Sequence, residues 1–179
     1  WDRDLPGSAR GGNTAYLLRS ITNFHARGAR FMSAESSANW GPNGLGYYLA
    51  SKLLWDTNNA SRIEAIKEDF YDKAFGPARE LMREFYGLID GAQKPLLSPD
   101  LVGRMYQTLG KARYAAATDS AVRSRIDDLI LYTRYVELYM AYTEGRGENR
   151  QAAFEALIRH AYRMRGTEMV HSYALYRDL

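Results

Sequence analysis

Arg30-Phe31-Met32-Ser33-Ala34-Glu35-Ser36-Ser37-Ala38-Asn39-Trp40-Gly41-Pro42-Asn43 is the stretch on which the fold of this chain turns. Its first five residues read as one short buried strand, and the remainder as a polar, aromatic, turn-rich loop. A lone strand cannot satisfy its own backbone donors and acceptors, and even a two-stranded hairpin is marginal in water. Yet everything after this stretch reads as helix, so the strand calls for neighbours that the chain does not visibly supply. In a parallel α/β sheet or barrel the end of a strand is where chemistry sits, and Glu35 occupies that position.

Upstream, Pro6, Gly7, Gly11 and Gly12 have the composition of a loop, and Asn13 offers an oxygen to cap a helix from Thr14, with Leu17, Ile21 and Phe24 on its buried face. Gly28 ends that helix as a left-handed cap. Downstream, Leu45, Tyr48, Leu49 and Leu53 recur at helical spacing up to Trp55 and Asp56. Ser61 and Glu64 read as a capping box opening a helix that carries Ile63, Ile66 and Phe70 to Gly76. Pro77 fits the first turn of the next, and Ser98-Pro99 starts another. The longest helix spans about Ser120 to Tyr142, apolar nearly all round, as a central helix contacted by several others would be. Gly145 and Gly147 bracket a turn, Phe154 to Met164 mark a further helix, and a short one runs from Thr167 to Tyr176. The expected fold is mainly α: an irregular bundle of about seven or eight helices with one short β-strand.

With 179 residues the chain can bury roughly 70% of its unfolded surface, so core size does not limit it. Its 24 Lys plus Arg against 21 Asp plus Glu leave a formal charge of +3, interleaved in sign, which does not point to nucleic acid. The absence of cysteine excludes disulfides, thiol catalysis and cysteine-bound metals. His25, His160 and His171 form no pair at metal-ligating spacing, and no cofactor is called for. No apolar run reaches the roughly 20 residues that span a bilayer, so no membrane partner is expected. The opening at Trp1 instead of Met suggests a processed or excised chain.

Glu35 is the candidate catalytic carboxylate. Glycoside hydrolysis commonly uses two such groups, one protonating the leaving oxygen and the other attacking or activating water. Asn39, Trp40 and Asn43 are candidate substrate contacts, supplying amide hydrogen bonds to hydroxyls and a flat face for a sugar ring, and Tyr47 and Tyr48 extend that surface. The competing reading has Glu35 capping the following turn and Trp40 packing in the core. Asp2 and Asp4 beside Trp1 are weak candidates for a second acid, since a terminal segment of this kind is more often a solvated tail. Asn59-Ala60-Ser61 matches a glycosylation acceptor but is accounted for by the helix start, and Gly11 to Thr14 lacks the spacing and lysine of a phosphate loop.

From Glu35 to Asp56, through Asn-Trp-Gly-Pro-Asn-Gly-Leu-Gly-Tyr-Tyr and Leu-Leu-Trp-Asp, the chain resembles bacterial glycoside-hydrolase-like proteins related to α-glucuronidases, at the point where the catalytic barrel passes into a C-terminal helical region. Phe75-Gly76 continues the resemblance, which covers Thr14 to Asp90 best. It implies that residues 1–56 are a remnant of a (β/α)8 barrel, made of helix, last strand, site loop and helix, with 57–179 as the C-terminal helical region. It further implies that Glu35 is the acid after a late strand, that Asn39 and Trp40 face the cleft, and that the partners are a carbohydrate and the remainder of the barrel. The earlier strands and their second carboxylate are not in this chain. The resemblance favours a periplasmic or extracellular setting. The rival expectations are a non-catalytic helical interaction or scaffold domain and a sugar-binding module.

Overall fold

A computed structural model describes residues 12–33, 38–91 and 97–178. The chain is mainly α, and its helices are α1 (Thr14–Ala26), α2 (Trp40–Trp55), α3 (Ile63–Phe75), α4 (Arg79–Ile89), α5 (Pro99–Ala115), α6 (Ser120–Glu144), α7 (Gly147–Arg163) and α8 (Ser172–Asp178). No strand or sheet occurs among the described residues, which corrects the expected strand at 30–34. Residues 30–33 lack regular structure, and every residue from Asn23 to Ser33 is exposed. An apolar pattern such as Phe31-Met32 becomes a strand only when a neighbouring strand takes its hydrogen bonds, and none is present among the described residues to do so.

Local signals set several helix ends. Asn13 Oδ1 accepts from the Tyr16 N–H at 2.8 Å, Ser98 Oγ from the Leu101 N–H at 3.2 Å, and Asp119 Oδ1 from the Val122 N–H at 2.9 Å. Gly28 and Gly76 have φ of +95° and +41°, the left-handed values for which glycine is the natural choice after a helix. The capping box at Ser61 and Glu64 does not form. Asp56 instead caps a 3-10 stretch over Thr57–Arg62, where the Ser61 hydroxyl donates to the Asn58 carbonyl at 2.9 Å, and α3 starts at Ile63. Pro77 lies in a further 3-10 turn, Gly76–Ala78.

Helices α4, α5, α6 and α7 each pack on the next, as short connections favour. The α4 pattern Met82, Phe85, Tyr86, Ile89 is buried while Arg79, Glu80 and Arg83 face solvent. Along α6, Ile126, Leu129, Tyr132, Thr133 and Val136 are buried, which fits the central place expected of it. Helix α2 crosses onto α3, α4 and α6, and its Leu49 and Leu53 are fully buried, each contributing about 2–3 kcal/mol of hydrophobic stabilisation. Helix α1 packs on α2 and on the 57–62 turn, contributing Ile21 to the interior while Phe24 is half exposed. Its N-terminus is tied to the far end of α4, where the Thr14 hydroxyl donates to Asp90 at 2.6 Å.

Candidate functional site

Helix α2 begins at Trp40, five residues before Leu45, where a start after the Gly41-Pro42-Asn43-Gly44 sequence would put it. Three long-range contacts hold that first turn in helical form. The Trp40 N–H donates to the Glu168 carbonyl at 2.9 Å, and the Tyr86 hydroxyl donates to the Gly41 carbonyl at 2.9 Å. Gly41 is there because a Cβ would overlap the Met169 thioether and press on Leu129 Cδ2 at 3.4 Å. Pro42 costs nothing in a first turn, where its missing N–H has no intrahelical acceptor.

The sequence-derived site residues therefore lie on a helix, not a loop, and helical geometry sorts them. Glu35 lies outside the described residues, as do Asp2 and Asp4. Trp40 and Tyr47, two turns apart, share one face: their ring centroids are 4.4 Å apart with planes tilted by 45°, and Trp40 retains 48% exposure. Asn39 is buried beneath them, and the Tyr47 hydroxyl donates to its Oδ1 at 2.7 Å. That hydrogen bond locks the Tyr47 ring against the indole. Asn43 is fully buried; its amide donates to the Asn39 carbonyl at 3.3 Å, and its Oδ1 has no partner among the described residues. Tyr48, one residue on, points to a different side and donates to the Asp69 carboxylate. That hydrogen bond, followed by burial, pushes its pKa up to about 12. Lys73, then Tyr48, hold Asp69 below the usual carboxylate range. Because Asp69 lies on α3, Tyr48 serves the α2–α3 contact, and Lys52 of α2 sits 5.1 Å from its ring centroid.

The structure adds one residue to this group that the sequence reading passed over. Glu168 has φ +55° and ψ +26°, the sole non-glycine left-handed conformation among the described residues. It lies between the 3-10 turn Arg165–Thr167 and the buried pair Met169 and Val170. Its side chain is exposed and makes no ion pair or hydrogen bond among the described residues. It is remote in sequence from Trp40, and only the fold brings them together.

Two other surface features stand apart from this face. A cleft of about 270 Å³ between α6 and α7 is lined by Tyr142, Gly147, Arg150, Gln151 and Phe154. At another surface, Phe31 is 98% and Trp55 91% exposed; the Thr57 hydroxyl lies 3.2 Å from His25 Nδ1, joining the ends of α1 and α2 there. Among the described residues no group of three or more His, Asp or Glu converges to hold a metal, and no helix is long and apolar enough to cross a membrane. No family model matches the chain, and no curated protein or solved structure matches it either.

Proposed function

We propose that this chain is the C-terminal portion of a carbohydrate-active enzyme, a glycoside hydrolase acting on a polysaccharide or a uronic-acid-containing glycan. In this reading the α2 N-terminus presents Trp40 and Tyr47 as the platform on which a sugar ring stacks, with Glu35, a few residues upstream in sequence, as the catalytic acid. The observation that carries the proposal is the half-exposed Trp40 ring held against Tyr47, which is itself locked by Asn39. A rigid aromatic face next to hydrogen-bonding groups is what sugar recognition requires. Catalysis needs a second carboxylate, which the remainder of an α/β barrel would supply, so this chain alone turns over little or nothing. Asn43 then supports the platform from within, while Tyr48 lies on another side of α2 and takes no part in it. The test is turnover of uronic-acid-decorated oligosaccharides by a longer chain that includes the strands of a barrel. Activity abolished by Glu35→Gln supports the assignment, and undiminished activity removes Glu35 from the mechanism.

A second reading, a helical interaction domain, draws on Phe31 and Trp55, whose near-complete exposure is the kind of apolar surface that partners cover. Sedimentation of the 179-residue chain separates the two: self-association abolished by Trp55→Glu and unaffected by Trp40→Ala favours the interaction domain.

A further inference from the structure

Glu168 occupies a backbone conformation that costs a side-chain-bearing residue free energy and costs glycine almost none. The chain is committed to that conformation on both sides. Thr167 closes the preceding turn, its hydroxyl donating to the Met164 carbonyl at 2.7 Å, and Met169 must pass under Gly41 directly afterwards. Glycine stands two residues away at Gly166, where φ is not positive. A strained, exposed glutamate whose side chain has no partner among the described residues invites a functional explanation, because a purely structural turn here is served better by glycine. The Glu168 carbonyl bonds the Trp40 N–H at 2.9 Å, which sets this residue at the start of the helix that carries the aromatic face.

We infer that Glu168 is a ligand-binding residue of the Trp40 face, its two carboxylate oxygens accepting from neighbouring hydroxyls of a neutral sugar stacked on the indole. A carboxylate accepts two hydrogen bonds side by side and repels another carboxylate, so it selects a neutral sugar at this subsite and disfavours a uronate there. This inference rests on the glycan reading above and adds the identity of the sugar nearest Trp40, leaving any acidic sugar to other subsites.

The experiment is an NMR titration of the chain with cellohexaose and with a galacturonic acid hexamer, following the Trp40 indole resonance in the unmodified protein and in Glu168→Gln and Glu168→Gly, and the backbone amide resonances of α2 in all of these and in Trp40→Ala. Cellohexaose is expected to bind more tightly than the acidic hexamer, and Glu168→Gln to weaken it about tenfold, as loss of a charge-assisted contact does. Glu168→Gly separates the functional from the structural role. It is expected to weaken binding at least as much while raising the thermal midpoint by roughly 2–4 °C, since the left-handed strain is relieved. Binding that Trp40→Ala abolishes but both Glu168 variants leave intact overturns this inference and leaves the glycan reading standing. Preference for the acidic hexamer also overturns it. If neither glycan moves the Trp40 resonance, the glycan reading falls and this inference with it.

Discussion

From Asn23 to Ser33 every residue is exposed, including Phe24, Phe31 and Met32, whereas along α6 a large side chain is buried at nearly every turn. The first stretch is poorer in large apolar side chains, 3 of 11 residues against 12 of 25, and the two also differ in what surrounds them. Helix α6 lies between α5 and α7 and also meets α2, so its tyrosines and aliphatic residues find neighbours on several sides. The 23–33 segment has α1 and the 57–62 turn behind it and, among the described residues, no sheet beside it. Apolar sequence creates a demand for burial, and only the rest of the fold decides whether it is met.

That contrast can be broken most severely in the bundle. Phe85→Ala, which empties a fully buried site on α4, is expected to cost about 3–5 kcal/mol in urea unfolding, while Phe31→Ser should stay within about 0.5 kcal/mol. Equal costs at the two positions would show that the exposed segment is held by contacts the structure lacks. Gly41→Ala comes next: it forces Met169 aside and should destabilise by about 1–3 kcal/mol, read as a lower thermal midpoint. Asp90→Asn weakens the link between α1 and α4 and should cost about 1 kcal/mol, with faster amide exchange in α1 and little change in α6.

The smallest effect is the pH dependence of the α2–α3 contact. The raised Tyr48 pKa means that its contribution is intact below the ordinary tyrosine value of 10.0 and is lost as pH rises through about 12. The lowered Asp69 pKa acts in the opposite direction, adding stability above the ordinary carboxylate value of 3.8 that disappears as pH falls below it. Ultraviolet difference titration should therefore show a group of late-ionising tyrosines, Tyr48 among them with the buried Tyr71, Tyr86, Tyr132 and Tyr135, and Tyr48→Phe should remove one ionisation from that group.

The chain announces those parts of its fold that depend on neighbours in sequence. Asn13, Ser98, Gly28 and Gly76 act within one turn of themselves, so their caps are readable from the residues alone. The strand expected at 30–34 is absent from the described residues 30–33, because a two-residue apolar pattern says nothing about whether a partner strand exists. The first turn of α2 was hidden for the converse reason: Gly41, Pro42 and Gly44 look like a loop until Glu168, Tyr86 and Met169 arrive from distant positions to hold them. The same long-range closure separates the candidate residues. Trp40 and Tyr47 share a face, Asn39 and Asn43 are inside, and Tyr48 turns away, an arrangement that follows once those residues are placed on a helix. Glu168 carried no signal at all, since its only distinguishing property is a backbone angle.

The most direct measurement of the account compares the two exposed tryptophans of the described structure, Trp40 and Trp55, by their indole N–H resonances during titration with cellohexaose. The platform reading predicts that the Trp40 resonance shifts saturably while that of Trp55 stays in place. A shift confined to Trp55, with Trp40 unmoved, contradicts it.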